Sequence, residues 1–76
     1  MMQALLQTLV RALVDDPDSI DIRQVEDGEW TRYEIRVAPE DTGKVIGKQG
    51  RTIRAVRQLV KAAAVRSGER VNVDVI

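Results

Sequence analysis

The 76-residue chain contains no cysteine and no histidine, and its only aromatic residues are Trp30 and Tyr33. Without cysteine, neither disulfides nor thiol chemistry is available, and without histidine the commonest general base is missing. The two serines, Ser19 and Ser67, lie in predicted turns with no base placed to activate them. The Walker spacing of a nucleotide-binding loop, with its Lys-Ser/Thr ending, is also missing. We therefore predict that the protein is not an enzyme and has no catalytic residue.

Long apolar runs are missing as well, since the longest unbroken one covers only residues 62–65. Nothing in the sequence resembles a signal peptide or a membrane span, so we expect a cytoplasmic protein with no membrane partner. Seventy-six residues allow one domain with a small core. We expect a single domain over residues 1–76, whose small core would gain stability from a partner that buries extra surface.

The net charge is zero, but the charges are unevenly distributed. Residues 1–42 hold four basic and ten acidic side chains, and residues 69–76 hold one basic and two acidic ones. Residues 43–68, in contrast, hold seven basic side chains and no acidic one. A cationic block of this kind is typical of a surface that binds a polyanion such as a nucleic acid.

The first 42 residues predict a helix followed by two strands. Residues 2–14 have the apolar repeat of an amphipathic helix, which Pro17 would end. Residues 19–26 and 30–38 alternate as strands, with Asp27-Gly28 as the hairpin turn and Val25 out of phase, as in a bulge. We expect Tyr33 in the core and assign no function to Trp30. The aspartates at positions 15, 16, 18 and 21 are predicted to form a solvated turn, and we predict no metal site and no cofactor.

The second half predicts two helices and a third strand. Pro39 followed by acidic residues opens a short helix over residues 40–46. A longer helix over residues 51–66 is closed by Ser67-Gly68, and residues 69–76 alternate as a strand. On the long helix three faces separate: a core face, a basic row and a face of small or weakly polar residues. The core face comprises Ile53, Val56, Leu59, Val60 and Ala63. The basic row comprises Arg54, Arg57 and Lys61, and the third face comprises Ala55, Gln58, Ala62 and Val65. We predict that the third set is a dimer face, and that Arg57 and Lys61 belong to an ordinary solvated surface.

A glycine loop joins these two helices and is the strongest functional feature of the sequence. Gly47 and Gly50 flank Lys48 and Gln49, and the chain then enters the N-terminus of the long helix. Helix N-termini carry unpaired N–H groups and a partial positive charge, and glycine lets a phosphate approach the backbone closely. Arg51 lies in the first turn of the helix, where the helix dipole disfavours a cation. A residue that breaks such a local preference points to function. Because Gly-x-x-Gly alone is common, its aliphatic and helical flanks give the pattern its meaning.

The segment Val-Ile-Gly-Lys-Gln-Gly-Arg-Thr-Ile, residues 45–53, resembles the signature of a KH domain. In that domain a Gly-x-x-Gly loop clamps about four nucleotides of a single strand. The whole chain resembles the small single-KH proteins of bacteria, the KhpA-type family. The resemblance implies an α+β type II KH fold, α-β-β-α-α-β, in which a three-stranded mixed sheet packs against three helices. The right-handed crossover rule makes its second and third strands parallel neighbours.

The resemblance also implies that the protein binds single-stranded RNA, as a small RNA chaperone or post-transcriptional regulator, with a role in cell shape among the family's associations. Its implied partners are a second copy of the chain or a KH protein of the KhpB (Jag) type. Gly47 and Gly50 would admit the backbone, with Lys48 and Gln49 as exposed tips. The other expected contacts are Lys44, Arg51 and Arg54 to phosphates, and Val45, Ile46, Ile53 and Val71 to bases, although Val45, Ile46 and Ile53 fit the core equally well. A protein–protein adaptor with the same fold and a single-stranded DNA binder are the alternatives.

Overall fold

A computed structural model describes residues 2–76 of the chain. It contains three α-helices and three β-strands: α1 (Met2–Leu13), β1 (Asp21–Asp27), β2 (Trp30–Arg36), α2 (Thr42–Ile46), α3 (Arg51–Ser67) and β3 (Val71–Val75). Short 3-10 turns occur at Pro17–Ser19, Pro39–Asp41 and Lys48–Gly50. The element order α-β-β-α-α-β is the one expected for a type II KH fold.

The three strands form one mixed sheet in the order β1-β2-β3. β1 and β2 are antiparallel, with Ile22 opposite Ile35, whereas β2 and β3 are parallel, with Tyr33 opposite Val73. The α2–α3 segment provides the crossover that a parallel β2–β3 pair requires. The mixed sheet and its parallel second pair confirm the predicted topology.

The core lies between the three helices and one face of the sheet. Because side chains alternate along a strand, Ile22, Tyr33, Ile35, Val71 and Val73 are buried while their neighbours remain at least partly exposed. The helices contribute Leu6 and Val10 from α1, Val45 from α2, and Ile53, Val56, Val60 and Ala64 from α3. Each fully buried aliphatic side chain of this kind contributes about 1.5–3 kcal/mol to folding. This core fixes α2 and α3, and therefore the loop between them, against the sheet.

Three local predictions differ from the structure. Val25 pairs with Arg32 in an unbroken ladder, so β1 has no bulge and Val25 simply lies on the face opposite Ile22. The hairpin loop is Gly28-Glu29 rather than Asp27-Gly28, because Asp27 still pairs with Trp30 and Gly28 takes the positive φ of +64°. Leu59 is 53% exposed, since the buried stripe of α3 is centred on Val56, Val60 and Ala64.

The ends of the long helix follow the sequence closely. α3 begins directly after Gly50 and ends at Ser67, where Gly68 adopts the left-handed conformation at φ +73°. The backbone N–H of Gly68 donates to the carbonyl oxygens of Ala64 and Val65, as a glycine C-cap does. Across residues 2–76, none of the helices combines the length and apolar character that crossing a membrane demands.

Candidate functional site

The loop between α2 and α3 has an unusual backbone. Gly47 lies at φ +77° and ψ +168°, a combination that is essentially restricted to glycine. Gln49 (φ +58°) and Gly50 (φ +74°) then both adopt left-handed conformations, and Gln49 is the one non-glycine residue with positive φ among residues 2–76. For a glutamine this conformation costs roughly 1–2 kcal/mol. A strained residue at the tip of an exposed loop is a feature that often marks a binding site.

Glycine is required at position 47 because a side chain would clash with its neighbours, as well as because of the backbone conformation. A Cβ atom at this position would lie 2.2 Å from Oγ1 of Thr52 and 2.7 Å from its backbone nitrogen. The loop backbone therefore packs directly against the first turn of α3. At Gly50 a Cβ would be 4.0 Å from its nearest neighbour, Cγ2 of Ile53, so only the backbone conformation demands glycine there.

The loop backbone is held at both glycines and leads directly into the N-terminus of α3. The N–H of Gly47 donates to Gly43 O (2.8 Å) and that of Gly50 to Gly47 O (3.1 Å). Lys48 and Gln49 are exposed and lie just before the N-terminus of a 17-residue helix. Exposed backbone at the positive end of a helix dipole provides a binding position for an anion.

Two arginines flank this loop. Arg51 is exposed in the first turn of α3, and Arg54 lies one turn later. The Nη2 atom of Arg54 donates to the carbonyl oxygen of Gln49 at 3.0 Å, which ties the guanidinium group to the strained tip. The predicted residues Gly47, Lys48, Gln49, Gly50, Arg51 and Arg54 thus come together in one surface region. We call this region the grip loop.

Lys44 is engaged elsewhere. Its Nζ atom forms an ion pair with Asp15 and lies 3.4 Å from Oδ1 of Asp41. These partners raise the pKa of Lys44: the hydrogen bond to Asp15 has the largest effect, burial opposes it, and the bond to Asp41 raises the pKa further. The sequence predicts a phosphate contact for Lys44, but in the structure this side chain connects α2 to the loop after α1.

Asp41 is the buried centre of that connection and was not foreseen from the sequence. It is 2% exposed, and its Oδ2 atom accepts hydrogen bonds from the backbone N–H groups of Asp16 (3.0 Å) and Asp15 (3.2 Å). Burial disfavours the charged carboxylate, but these two bonds and the bond from Lys44 outweigh it, so the pKa of Asp41 is lowered. The only sequence feature near its hydrogen-bond partners was the acidic turn at Asp15-Asp16, which was predicted to be solvated.

The aliphatic residues assigned to base contacts divide into two groups. Val45, Ile53 and Val71 are buried in the core, with 6% exposure or less. Ile46 is 37% exposed and lies directly before Gly47. The sequence left open whether these residues belong to the core or contact bases. Val45 and Ile53 belong to the core, whereas Ile46 remains available to a ligand.

A groove of about 290 Å³ runs beside the free edge of β3. It is lined by residues from β1, β2, α3 and β3: Asp27, Arg32, Arg57, Val60, Lys61, Val71, Asn72, Val73 and Asp74. Arg57 is half-buried here, and its Nε atom donates to the carbonyl oxygen of Val73 at 3.0 Å. The prediction of an ordinary solvated surface for Arg57 did not include this bond, by which its guanidinium group reaches the strand edge while its side chain stays 43% exposed. We call this feature the β3 groove.

The outer face of α3 is exposed along its length. Ala55, Gln58, Ala62 and Val65 are all solvent-accessible, and the exposed Leu59 lies beside them. Val65 is 79% exposed. The four residues of the predicted dimer face are thus all exposed in this structure of one chain. Among residues 2–76, no group of three or more acidic side chains is arranged to hold a metal ion.

Comparison with known proteins agrees with this architecture. The model of the family described as "KhpA/KhpB, KH domain" matches residues 3–75. The chain belongs to this family. It is 48% identical over 75 residues to the RNA-binding protein KhpA of Caldanaerobacter subterraneus subsp. tengcongensis, covering 99% of this chain and 100% of that protein. The KhpA proteins of Halalkalibacterium halodurans and Chlamydia pneumoniae are 45% and 39% identical, each over 99% of this chain and over 99% and 96% of their own lengths. The resemblance to small single-KH proteins is therefore confirmed.

Proposed function

We propose that the protein binds single-stranded RNA and holds its sugar-phosphate backbone at the grip loop. The observation that carries the proposal is the exposed turn of Lys48 and Gln49, placed between two glycines with positive φ at the N-terminus of α3. A phosphate oxygen can approach the backbone of this turn, because neither Gly47 nor Gly50 presents a side chain. The names of the KhpA relatives, each called an RNA-binding protein, support RNA as the ligand.

The positive charge that contacts the RNA phosphates would come mainly from Lys48, Arg51 and Arg54. Lys44 has two carboxylate partners, so we assign it to holding α2 in place rather than to a phosphate. For single strands each neutralised phosphate contributes about 0.7 to the slope of log K against log salt. Three contacts therefore give a slope near 2, and binding should be weak at physiological salt.

The bases would lie toward the β3 groove. This groove begins where Arg57 meets Val73 and continues past Lys61, on the side of α3 that also carries Arg54. Ile46, exposed beside Gly47, offers an apolar contact at the start of this path. No base-reading residue is assigned, and the proposal concerns one KH domain that grips about four nucleotides.

A single grip of this size is weak, and pairing of two domains would strengthen it through effective concentration. We propose that the outer face of α3, with Ala55, Gln58, Ala62 and Val65, contacts a second copy of the chain. Its small side chains let two helices approach closely, and its exposed Leu59 and Val65 supply apolar area. A KH protein of the KhpB type could occupy the same face. The paired module would act as an RNA chaperone or post-transcriptional regulator.

The test replaces Lys48 and Gln49 together by Asp. A matched control changes Arg23 and Gln24 to Asp. Like Lys48-Gln49, this pair is an exposed cation followed by glutamine, but it lies on β1. Fluorescence polarisation with a labelled single-stranded RNA should show lost binding for the loop variant and retained binding for the control, with both circular dichroism spectra unchanged.

Unchanged RNA binding by the folded loop variant would contradict the proposal and favour a protein–protein adaptor. The same titration with single-stranded DNA separates the remaining alternative. Tighter binding of DNA than of RNA would overturn the assignment of RNA as the ligand while leaving the grip loop as the site.

A further inference from the structure

A second concave feature lies at the far end of α3 from the grip loop. It has a volume of about 300 Å³ and an apolar lining formed by Trp30, Ala64, Val65 and Val71. Lys61, Glu69 and Arg70 complete its rim. We call it the Trp30 notch. Trp30 is 41% exposed, so the notch presents its indole to solvent. Val65 lies on the boundary between the notch and the outer face of α3.

The notch is continuous with the path that starts at the grip loop. Arg54 contacts the loop through Gln49 O, and Arg57, nearly one turn further along α3, contacts Val73 O in the β3 groove. Lys61 and Val71 line both that groove and the notch. From Arg51 to Lys61 the axis of α3 advances by about 15 Å. A strand held at the loop and running along this basic row would therefore reach Trp30 after the first few nucleotides.

The charges at the rim suit a polyanion. Arg70 donates from Nη1 to Oε2 of Glu29 at 3.0 Å, but both side chains are well exposed, so this pair is weak and can exchange for a phosphate. Glu69 accepts a hydrogen bond from Oγ of Ser67 at 3.1 Å, which directs its carboxylate toward the helix end. Lys61 has no ion-pair partner within residues 2–76.

We propose that the Trp30 notch binds a nucleobase of the same single strand that the grip loop holds, by stacking on the indole of Trp30. An aromatic face next to cations is the arrangement with which proteins bind single-stranded nucleic acid regardless of sequence. The apolar lining accepts a base, and Lys61 and Arg70 lie where its flanking phosphates would pass. The inference rests on the proposed RNA binding and extends the bound length beyond about four nucleotides.

Trp30 is the only tryptophan in the chain, so its fluorescence reports on the notch directly. The experiment titrates the full chain with oligouridylates of about four and roughly ten nucleotides, the shorter one matching the length gripped by a KH loop. The backbone amide resonances of residues 46–52 are followed in parallel. Both oligonucleotides should shift the loop amides, whereas only the longer one should quench Trp30 and should bind more tightly.

Variants then assign the additional affinity. Trp30→Ala should weaken binding of the longer oligonucleotide about tenfold and leave binding of the shorter one unchanged. Trp30→Phe, which keeps an aromatic face, should retain most of the affinity. Ile76→Ala is the matched control, because Ile76 is also an exposed apolar residue but lies outside the notch. It should behave as the unmodified chain does with both lengths.

The two proposals fail in different ways. If neither oligonucleotide moves the loop amides, RNA binding at the grip loop is wrong. If both move them but the longer one leaves Trp30 emission unchanged, the inference about the notch is overturned. It is also overturned if Trp30→Ala lowers the molecular mass in sedimentation while the longer oligonucleotide still binds normally, because the notch is then a protein contact.

Discussion

The backbone N–H of Asp16 donates to the buried carboxylate of Asp41 at 3.0 Å, across 25 positions of sequence. Asp41 immediately precedes α2, and Asp16 belongs to the turn after α1. This bond, with its neighbour from Asp15 and the ion pair to Lys44, joins the first helix to the short helix that leads into the grip loop. We infer that the orientation of the grip loop depends on this contact.

The first prediction concerns acid stability. Because the folded pKa of Asp41 lies below its ordinary value of 3.8, its contribution to stability is complete at neutral pH. That contribution is lost as pH falls below about 4 toward the lowered folded pKa. Asp41→Asn removes the charge and should lower the melting temperature at pH 7 by several degrees. The difference from the unmodified chain should shrink in acid, which thermal melts by circular dichroism across a pH series would measure.

Asp18→Asn provides the matched control for this series. Asp18 lies in the same acidic turn but is exposed, and within residues 2–76 it has no side-chain hydrogen bond or ion pair. Its replacement should leave the melting temperature nearly unchanged at every pH. If Asp41→Asn lowers the melting temperature as much in acid as at neutral pH, a role for the ionised carboxylate is contradicted.

The second prediction concerns Gly47. Gly47→Ala places a Cβ atom 2.2 Å from Oγ1 of Thr52 in a backbone conformation that alanine rarely adopts. The strained conformation costs roughly 1–3 kcal/mol, and the clash adds to it because the Thr52 backbone also blocks the position. The free energy of unfolding in urea should therefore fall by roughly 2–4 kcal/mol.

Gly43→Ala is the control for that measurement. Gly43 lies in α2 with ordinary helical backbone, and a Cβ there meets nothing within 4 Å. Alanine should stabilise the protein by about 0.5–1 kcal/mol, since glycine inside a helix is unfavourable. Equal unfolding free energies for the two variants would mean that the loop rearranges freely and that its geometry is not fixed by Gly47.

Features with a local cause could be predicted from the sequence. The alternation of Tyr33 and Ile35 predicted β2, and the glycine at position 68 ended α3 as a C-cap. Gly47 and Gly50 predicted the loop because a tight turn into a helix needs positive φ. Each of these signals depends on neighbouring residues only, so the individual elements and the glycine loop followed from them, whereas the type II KH fold came from the family resemblance.

Features that depend on distant residues could not be predicted in this way. The bond between Asp16 and Asp41 joins two turns that look solvated when each is read alone. Arg57 lies on a basic row of α3, but only the position of β3 shows that it covers Val73 O. The helical period likewise placed Leu59 in the core, although the sheet and α1 cover a neighbouring stripe. Periodicity gives the angle of a side chain, not what lies opposite it.

The third prediction separates charges that meet RNA from those that hold the fold. Lys48→Ala and Arg51→Ala should each reduce the slope of log K against log salt by about 0.7, because each would remove one of the proposed phosphate contacts. Arg23→Ala, on exposed β1, should leave the slope unchanged. Lys44→Ala should lower the melting temperature but not the slope, because Lys44 is paired with Asp15 and Asp41. A slope change for Lys44→Ala alone would reverse these assignments.

The last prediction concerns the outer face of α3. Ala62→Glu places a charge at the centre of the proposed contact between two copies, where the small side chain of Ala62 lets helices approach. Two such carboxylates would face each other across a symmetric interface and repel. Sedimentation equilibrium should therefore give a dimer for the unmodified chain and a monomer for the variant, with an unchanged circular dichroism spectrum.

Ala4→Glu tests whether this effect belongs to α3. Ala4 is an exposed alanine on a regular helix, α1, and its replacement changes the charge equally. It should leave the dimer intact. Because pairing raises affinity through effective concentration, Ala62→Glu should also weaken binding to a long RNA more than to a short oligonucleotide that only one domain can hold. A dimer that survives Ala62→Glu, or is lost with Ala4→Glu instead, would move the interface away from the outer face of α3.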